Sequence, residues 1–188
     1  MQFARLIIIA LIVFELLNFA GILAIPLEFS WLGLIVTSGF SLIVLEILNI
    51  FSLMSPAGYI LSAAGLWLDA LGDIAGLYGQ YWFYDQFMHF LGGAIIMAIA
   101  LTFINRGIAL NNLRTPLLFV ILAGLAFVGL FGSLYEIEEY LEDRFWHGRQ
   151  LRLGDGPDTA DDLMLDLFGG AAFGTLYFVS KKAVNRLQ

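Results

Sequence analysis

The chain has 188 residues, no cysteine and a net charge of −7; 60% of its residues are hydrophobic and 13% are charged. Soluble domains carry about 25% charged residues, so most of this chain is expected to lie in a lipid bilayer. The lack of cysteine excludes disulfides, iron–sulfur clusters and thiolate metal sites. The acidic balance argues against a nucleic-acid partner, because phosphate binding needs a basic face.

Six apolar runs divide the chain, and each is long enough for a helix that crosses a bilayer, which needs about 20 residues. We therefore predict an all-α fold, a bundle of about six transmembrane helices with short loops that forms a single domain over residues 1–188. Every proline lies at a boundary between runs, where proline is tolerated. The predicted spans are 4–25, 30–54, 57–79, 84–105, 115–142 and 159–181.

The first run begins after Arg5, as a signal peptide would. Its apolar stretch is too long for a signal peptide and its end lacks the small residues of a cleavage site, so we expect it to remain as the first helix. Glu15 in this run and Glu46 in the second stand apart from the other acids. Each is expected either to bond to a neighbouring helix while protonated or to mark a polar path.

The orientation follows from the positive-inside rule. With six spans, both termini lie on the side that holds six of the nine Lys and Arg residues. We expect that side to be cytoplasmic, in the inner cell membrane. The six are Arg5, Arg106, Arg114, Lys181, Lys182 and Arg186, and the other three are Arg144, Arg149 and Arg152.

The last four runs carry acids and one histidine at spacings of three or four residues, which places each set on one face of a helix. Runs three and five end, and runs four and six begin, on the same predicted side of the membrane. The four polar stripes are therefore expected to converge near the extracytoplasmic interface. They are Asp69 and Asp73; Asp85 and His89; Glu136 and Glu139; and Asp158, Asp162 and Asp166.

So many carboxylates in one place must be protonated or neutralised by cations, either by Arg144, Arg149 and Arg152 or by a divalent metal ion. Carboxylate and imidazole ligands suit Zn, Mn or Fe, and an all-oxygen site suits Mg or Ca. Helical bundles build such sites from inward-facing Glu and His. We predict a metal site of Asp85, His89, Glu136, Glu139, Asp162 and Asp166, with a secondary polar site of Asp69, Asp73, Asp158, Tyr84 and Tyr135.

A structural interpretation of the same acids stays open. Asp158 and Asp162 would simply favour the N-terminus of the last helix through its dipole. Glu138, Glu142 and Asp143 lie where the fifth run leaves the membrane and are expected to form a hydrated surface. Small residues after the polar positions are expected to let runs four and six pack closely; they are Gly92, Gly93, Gly169, Gly170 and Gly174.

Four strings resemble the YjdF-type family of small bacterial and archaeal membrane proteins. They are LWLDALGDIAGLY (66–78), YDQFMHFLGG (84–93), YEIEEY (135–140) and DTADDLMLDLFGGAAFG (158–174). The resemblance covers roughly residues 60–180 and implies that the acids and the histidine belong to one unit, but it implies no activity. The chain is more distantly similar to VanZ-type proteins, although Gln86 and Asp166 stand where those have Lys and Asn.

Three functions fit this pattern. The first is a metal-dependent enzyme that acts on a lipid-like substrate, with the ion activating water or polarising a phosphate or carbonyl group. The second is a cation or proton transporter, although no internal repeat supports it. The third is an accessory or assembly subunit of a larger membrane complex. Catalytic signatures such as HExxH and GxSxG are absent from the sequence, so enzyme status stays open.

Overall fold

The computed structural model describes residues 2–27, 30–148 and 156–185. Within these residues the regular structure is entirely helical, which confirms the all-α fold class. The helices are α1 (Gln2–Phe19), α2 (Trp31–Ile50), α3 (Pro56–Ile74), the short α4 (Leu77–Gln80), α5 (Tyr84–Leu110), α6 (Leu117–Glu142) and α7 (Gly156–Asn185). A π-helical turn, Asp143–His147, extends α6.

Five of the described helices are long and apolar enough to cross a membrane: α1, α2, α5, α6 and α7. This confirms a polytopic membrane protein. The third run is not among the five: its helix α3 has 19 residues and carries Asp69 and Asp73. Gly76, with φ of +64°, separates α3 from α4, so the run predicted as 57–79 is divided in two. That α3 forms a sixth span stays a prediction, as does a single domain.

The chain forms two compact units, residues 1–88 and 89–188. In the first unit, α1 packs against α2 and α3. The indole of Trp67 on α3 donates a hydrogen bond to the carbonyl oxygen of Ile7 on α1, at 2.9 Å. α1 ends at Phe19 rather than near residue 25, because Gly21 turns the chain in the left-handed region at φ of +72°. The buried face of α1 consists of Ala4, Ile8, Leu11, Glu15 and Asn18.

The acid near the end of α2 is held by an ion pair. Arg5 on α1 donates from two guanidinium nitrogens to the two carboxylate oxygens of Glu46, at 2.6 and 2.7 Å. The hydroxyl of Tyr59 on α3 donates to the same carboxylate, at 2.6 Å. A bidentate pair of this kind has fixed geometry, so it ties together three helices at one end of the first unit. Glu46 is therefore a charged partner of Arg5.

In the second unit, α5, α6 and α7 pack around an apolar core. Met97 and Leu101 on α5 meet Val120 and Val128 on α6, and Phe173 and Tyr177 on α7 lie against this core. Glycines permit the close contacts at several levels. A Cβ atom on Gly124 would lie 2.6 Å from the sulfur of Met97, and one on Gly170 would lie 2.9 Å from a Val128 methyl group. The core therefore depends on small residues on α6 and α7.

Candidate metal centre

The first polar stripe lies on the opening turns of α5. Asp85 and His89 are four residues apart and share one face of the helix. Asp85 is half-buried, and His89 is buried with 7% of its surface exposed. A histidine this enclosed in a membrane helix is normally held by polar partners.

The second stripe lies at the end of α6. Glu136 and Glu139 are buried, whereas Glu138 between them is exposed. The buried face continues into the π-helical turn, where Asp143 is only 5% exposed. The prediction that Asp143 belongs to a hydrated surface is therefore wrong. It is four residues beyond Glu139, so the helical spacing carries it to the same buried face.

The third stripe lies on α7. Asp162 and Asp166 are buried with 4% of their surface exposed, and Asp158 and Asp161 are exposed. α7 begins at Gly156, so Asp158 lies in the first turn, where the helix dipole favours a negative charge. The structural interpretation thus fits Asp158. It does not fit Asp162 or Asp166, which face inward one and two turns later.

The three stripes meet at the imidazole ring of His89. Nε2 lies 3.9 Å from Oε1 of Glu136 and 3.7 Å from Oδ2 of Asp162. Nδ1, on the other side of the ring, lies 3.6 Å from Oδ1 of Asp166. One histidine from α5 therefore has carboxylates from both α6 and α7 around it, as the sequence pattern predicts.

The distances between the ring nitrogens of His89 and the carboxylate oxygens are similar to those between two ligand atoms of one metal ion. They exceed the usual 2.7–3.2 Å of an N–H···O hydrogen bond. Ligand atoms about 2.1 Å from one ion in tetrahedral geometry lie about 3.4 Å apart, close to the separations at Nε2. Asp85, His89 and Asp162 each offer a ligand atom, and these three atoms lie within 4.8 Å of one another. This group could hold a metal ion.

Charge is the second reason to expect a cation. A protonated His89 would balance only one of the three carboxylates that lie within 4 Å of it, and buried charges of like sign repel strongly in a medium of low polarity. Of the three arginines considered as partners, Arg149 and Arg152 lie outside the described residues. Arg144 is exposed and lies 3.4 Å from the hydroxyl of Tyr140. A divalent ion or bound protons would relieve the repulsion.

Comparison with known proteins places the chain in a family. Residues 3–183 match the family described as "Predicted membrane protein (DUF2238)". The chain belongs to this family. The match confirms the resemblance to the YjdF-type membrane proteins that the four strings indicate. No curated protein and no solved structure matches the chain.

In this DUF2238 chain, Asp166 is held by close packing of glycines. A Cβ atom on Gly93 of α5 would overlap the backbone carbonyl group of Asp166, and one on Gly132 of α6 would overlap its carboxylate. Gly169, one turn further along α7, is equally close to the backbone carbonyl of Phe90. The predicted close approach of runs four and six is therefore confirmed. It presses the Asp166 carboxylate between α5 and α6.

We expect Gly132→Ala to lower metal affinity by roughly tenfold, the lower end of the effect of disturbing residues that support a metal ligand. The added methyl group would displace the Asp166 carboxylate, since the methyl carbon would lie only 3.2 Å from Cγ of Asp166. Gly129→Ala is the matched control, one turn earlier on α6, where the methyl group would make an ordinary 3.8 Å contact with Leu167. Manganese titration of both variants checks this; equal affinities would contradict it.

The residues of the predicted secondary polar site are divided between the two units. The ring of Tyr135 contacts that of His89 edge-to-face, with centroids 5.8 Å apart, and 40% of Tyr135 is exposed. In the first unit, the hydroxyl of Tyr84 donates to the carbonyl oxygen of Leu68. Tyr78 donates to Asp69 at 2.7 Å, and Asp73 lies one turn later on α3. That Asp69 and Asp73 join the metal site stays a prediction.

Proposed function

We propose that this protein is a divalent-metal-dependent membrane enzyme that acts on a lipid-like substrate. The observation that carries the proposal is the position of His89, whose two ring nitrogens face buried carboxylates on two other helices at 3.6–3.9 Å. Buried charges persist in proteins when they are paired or coordinate a metal. A metal ion would explain the burial of Glu136, Asp162 and Asp166 around one imidazole.

The two sides of the imidazole have different roles in this proposal. Nε2 binds the ion together with Glu136, Asp162 and Asp85. Nδ1 carries the proton and faces Oδ1 of Asp166 at 3.6 Å, which is too long for a hydrogen bond. The Asp166 carboxylate would orient the ring through its charge, since metal-bound histidines commonly direct their second N–H at a carboxylate. Asp166 is then a positioning residue rather than a ligand, which refines the ligand set expected from the sequence. Glu139, one turn beyond Glu136 and also buried, remains as a further ligand or a general base.

The donor set narrows the choice of ion. One imidazole nitrogen with several carboxylate oxygens suits Mn, Fe or Zn better than Mg or Ca, which prefer oxygen ligands alone. Such an ion would supply an activated water or polarise a phosphate or carbonyl group.

The surroundings favour an amphiphilic substrate. The site lies on helices that are apolar enough to span a membrane, at the beginning of α5 and α7 and the end of α6. Tyr135 is exposed on α6 and contacts His89. Aromatic side chains with a polar tip are typical of the membrane interface. A lipid-like molecule with a polar headgroup could therefore reach the ion from the bilayer, past Tyr135.

Metal analysis of the purified protein tests the proposal. We expect close to one Mn, Fe or Zn ion per wild-type chain after reconstitution, and a loss of at least tenfold in His89→Ala, because the proposed nitrogen ligand is removed. Glu138→Gln is the control, since this exposed acid lies on the same turn of α6 as the buried pair. A wild-type protein that binds no metal, or a His89→Ala variant that retains it, would contradict the site.

A second experiment separates enzyme from transporter. The metal-loaded protein is incubated with extracted membrane lipids, and headgroup release or transfer is followed by mass spectrometry. We expect products that depend on both the metal and His89. Manganese flux into proteoliposomes without any lipid product would instead favour transport and would contradict the enzymatic proposal.

A further inference from the structure

Glu15 is a buried carboxyl group of the first unit that lies outside the candidate metal centre. It is on the packed face of α1, one turn before the helix ends, and none of its surface is exposed. The hydroxyl of Ser38 on α2 donates a hydrogen bond to Oε1 of Glu15, at 2.9 Å, and Ser38 is itself buried. The second oxygen, Oε2, is enclosed and has no hydrogen-bond partner among the described residues.

This environment does not suit an ionised carboxylate. A charged group that is buried with one neutral hydrogen bond is strongly disfavoured in a protein interior. A protonated carboxyl group suits it better, since one oxygen accepts from Ser38 and the other carries the proton. Residues 1–88 contain one cation-bearing side chain, Arg5. It is engaged by Glu46, at a position about 15 Å from Glu15 along α1.

The charged groups on neighbouring helices reinforce the point. α2 contributes Ser38 near Glu15, and its acid, Glu46, is bound by Arg5. Among the described residues of the first unit, the hydrogen bond of Glu15 is to the neutral hydroxyl of Ser38 and not to a cation.

We infer that Glu15 is a proton-binding residue of the first unit, which holds its proton between α1 and α2. The enclosed Oε2 of Glu15 is the atom that carries the proton, and Ser38 marks Oε1 as the carbonyl oxygen. Glu15 is not one of the residues of the candidate metal centre, so this inference is independent of the proposed metal-dependent activity. Its ligand is a proton, held between the packed helices α1 and α2.

Infrared difference spectroscopy of the full-length protein at neutral pH tests the inference. The difference between wild type and Glu15→Gln is expected to contain the carbonyl band of one protonated carboxylic acid, and this band should shift in D2O. Glu46→Gln is the matched control, because Glu46 is ionised and its replacement should leave the band in place. A difference spectrum that shows only carboxylate bands would overturn the inference.

A further variant tests the neighbouring hydroxyl group. Ser38→Ala is expected to move the band to higher frequency, because the carbonyl oxygen loses its hydrogen bond. A band that this change leaves unmoved would overturn the inference.

Thermal unfolding gives a separate readout that does not rely on the band. Because glutamine resembles a protonated glutamate, Glu15→Gln should retain the wild-type unfolding temperature. A large fall in that temperature would show an ionised, paired Glu15 and would overturn the inference.

Discussion

Replacing Gly93 by alanine is expected to destabilise the second unit by about 3 kcal/mol or more, at the upper end of the effect of overpacking. The added Cβ atom would overlap the backbone carbonyl oxygen of Asp166 and lie 2.6 Å from its carbonyl carbon. Backbone cannot rotate away as a long side chain can, so α5 and α7 would have to separate. Gly169→Ala should have the same effect, because its methyl group would overlap the backbone carbonyl of Phe90.

The neighbouring glycine provides the control. A Cβ atom on Gly92 would lie 3.9 Å from Oδ1 of Asp166, which is an ordinary van der Waals contact. Gly92→Ala should therefore be tolerated, with a slight gain in helix propensity. Thermal unfolding in detergent compares the variants. If Gly92→Ala and Gly93→Ala unfold at the same temperature, the close approach of α5 and α7 is not as described.

The second large effect is expected at Asp162. Asp162→Asn keeps the shape of the side chain but removes a charged ligand 3.7 Å from Nε2 of His89. Metal affinity should fall by about a hundredfold or more, since loss of a ligand must exceed the 10–100-fold cost of losing an outer partner. The protein should remain folded, because fewer like charges are then buried together.

Asp161→Asn is the matched control for this change. Asp161 is the adjacent residue on α7 and is exposed, so it has the same charge as Asp162 but does not face the site. Its replacement should leave metal affinity unchanged within about twofold, since surface charges act weakly through water. A comparable loss in both variants would show that general charge, rather than coordination, attracts the ion.

The polar stripes could be predicted because helical spacing fixes which residues share a face. Asp85 with His89 and Asp162 with Asp166 are each four apart, and short connections between spans bring successive helix ends to one side. Within the second unit, the structure unites His89, Glu136, Asp162 and Asp166 as this pattern indicates. The glycines that follow His89 on α5 and Asp166 on α7 lie at helical spacing from those residues, and they indicated the close packing of α5 and α7.

Other features depend on geometry that spacing does not carry. Asp143 lies at the edge of an apolar run, and this position suggested that its side chain is exposed to solvent. Its helical spacing from Glu136 and Glu139 is the pattern that indicates its burial. The helix of the third run ends early because Gly76 turns the backbone. The apolar composition of residues 57–79 does not indicate this turn. Which ring nitrogen of His89 faces which carboxylate depends on side-chain rotation, and no sequence pattern reports it.

X-ray absorption spectroscopy of the manganese- or zinc-loaded protein tests the metal centre most directly. The account predicts one imidazole nitrogen and several carboxylate or water oxygens at about 2.0–2.2 Å from the ion, with the nitrogen signal lost in His89→Ala. A spectrum with oxygen ligands alone in the wild-type protein, or one that His89→Ala leaves unchanged, would contradict a metal site at His89.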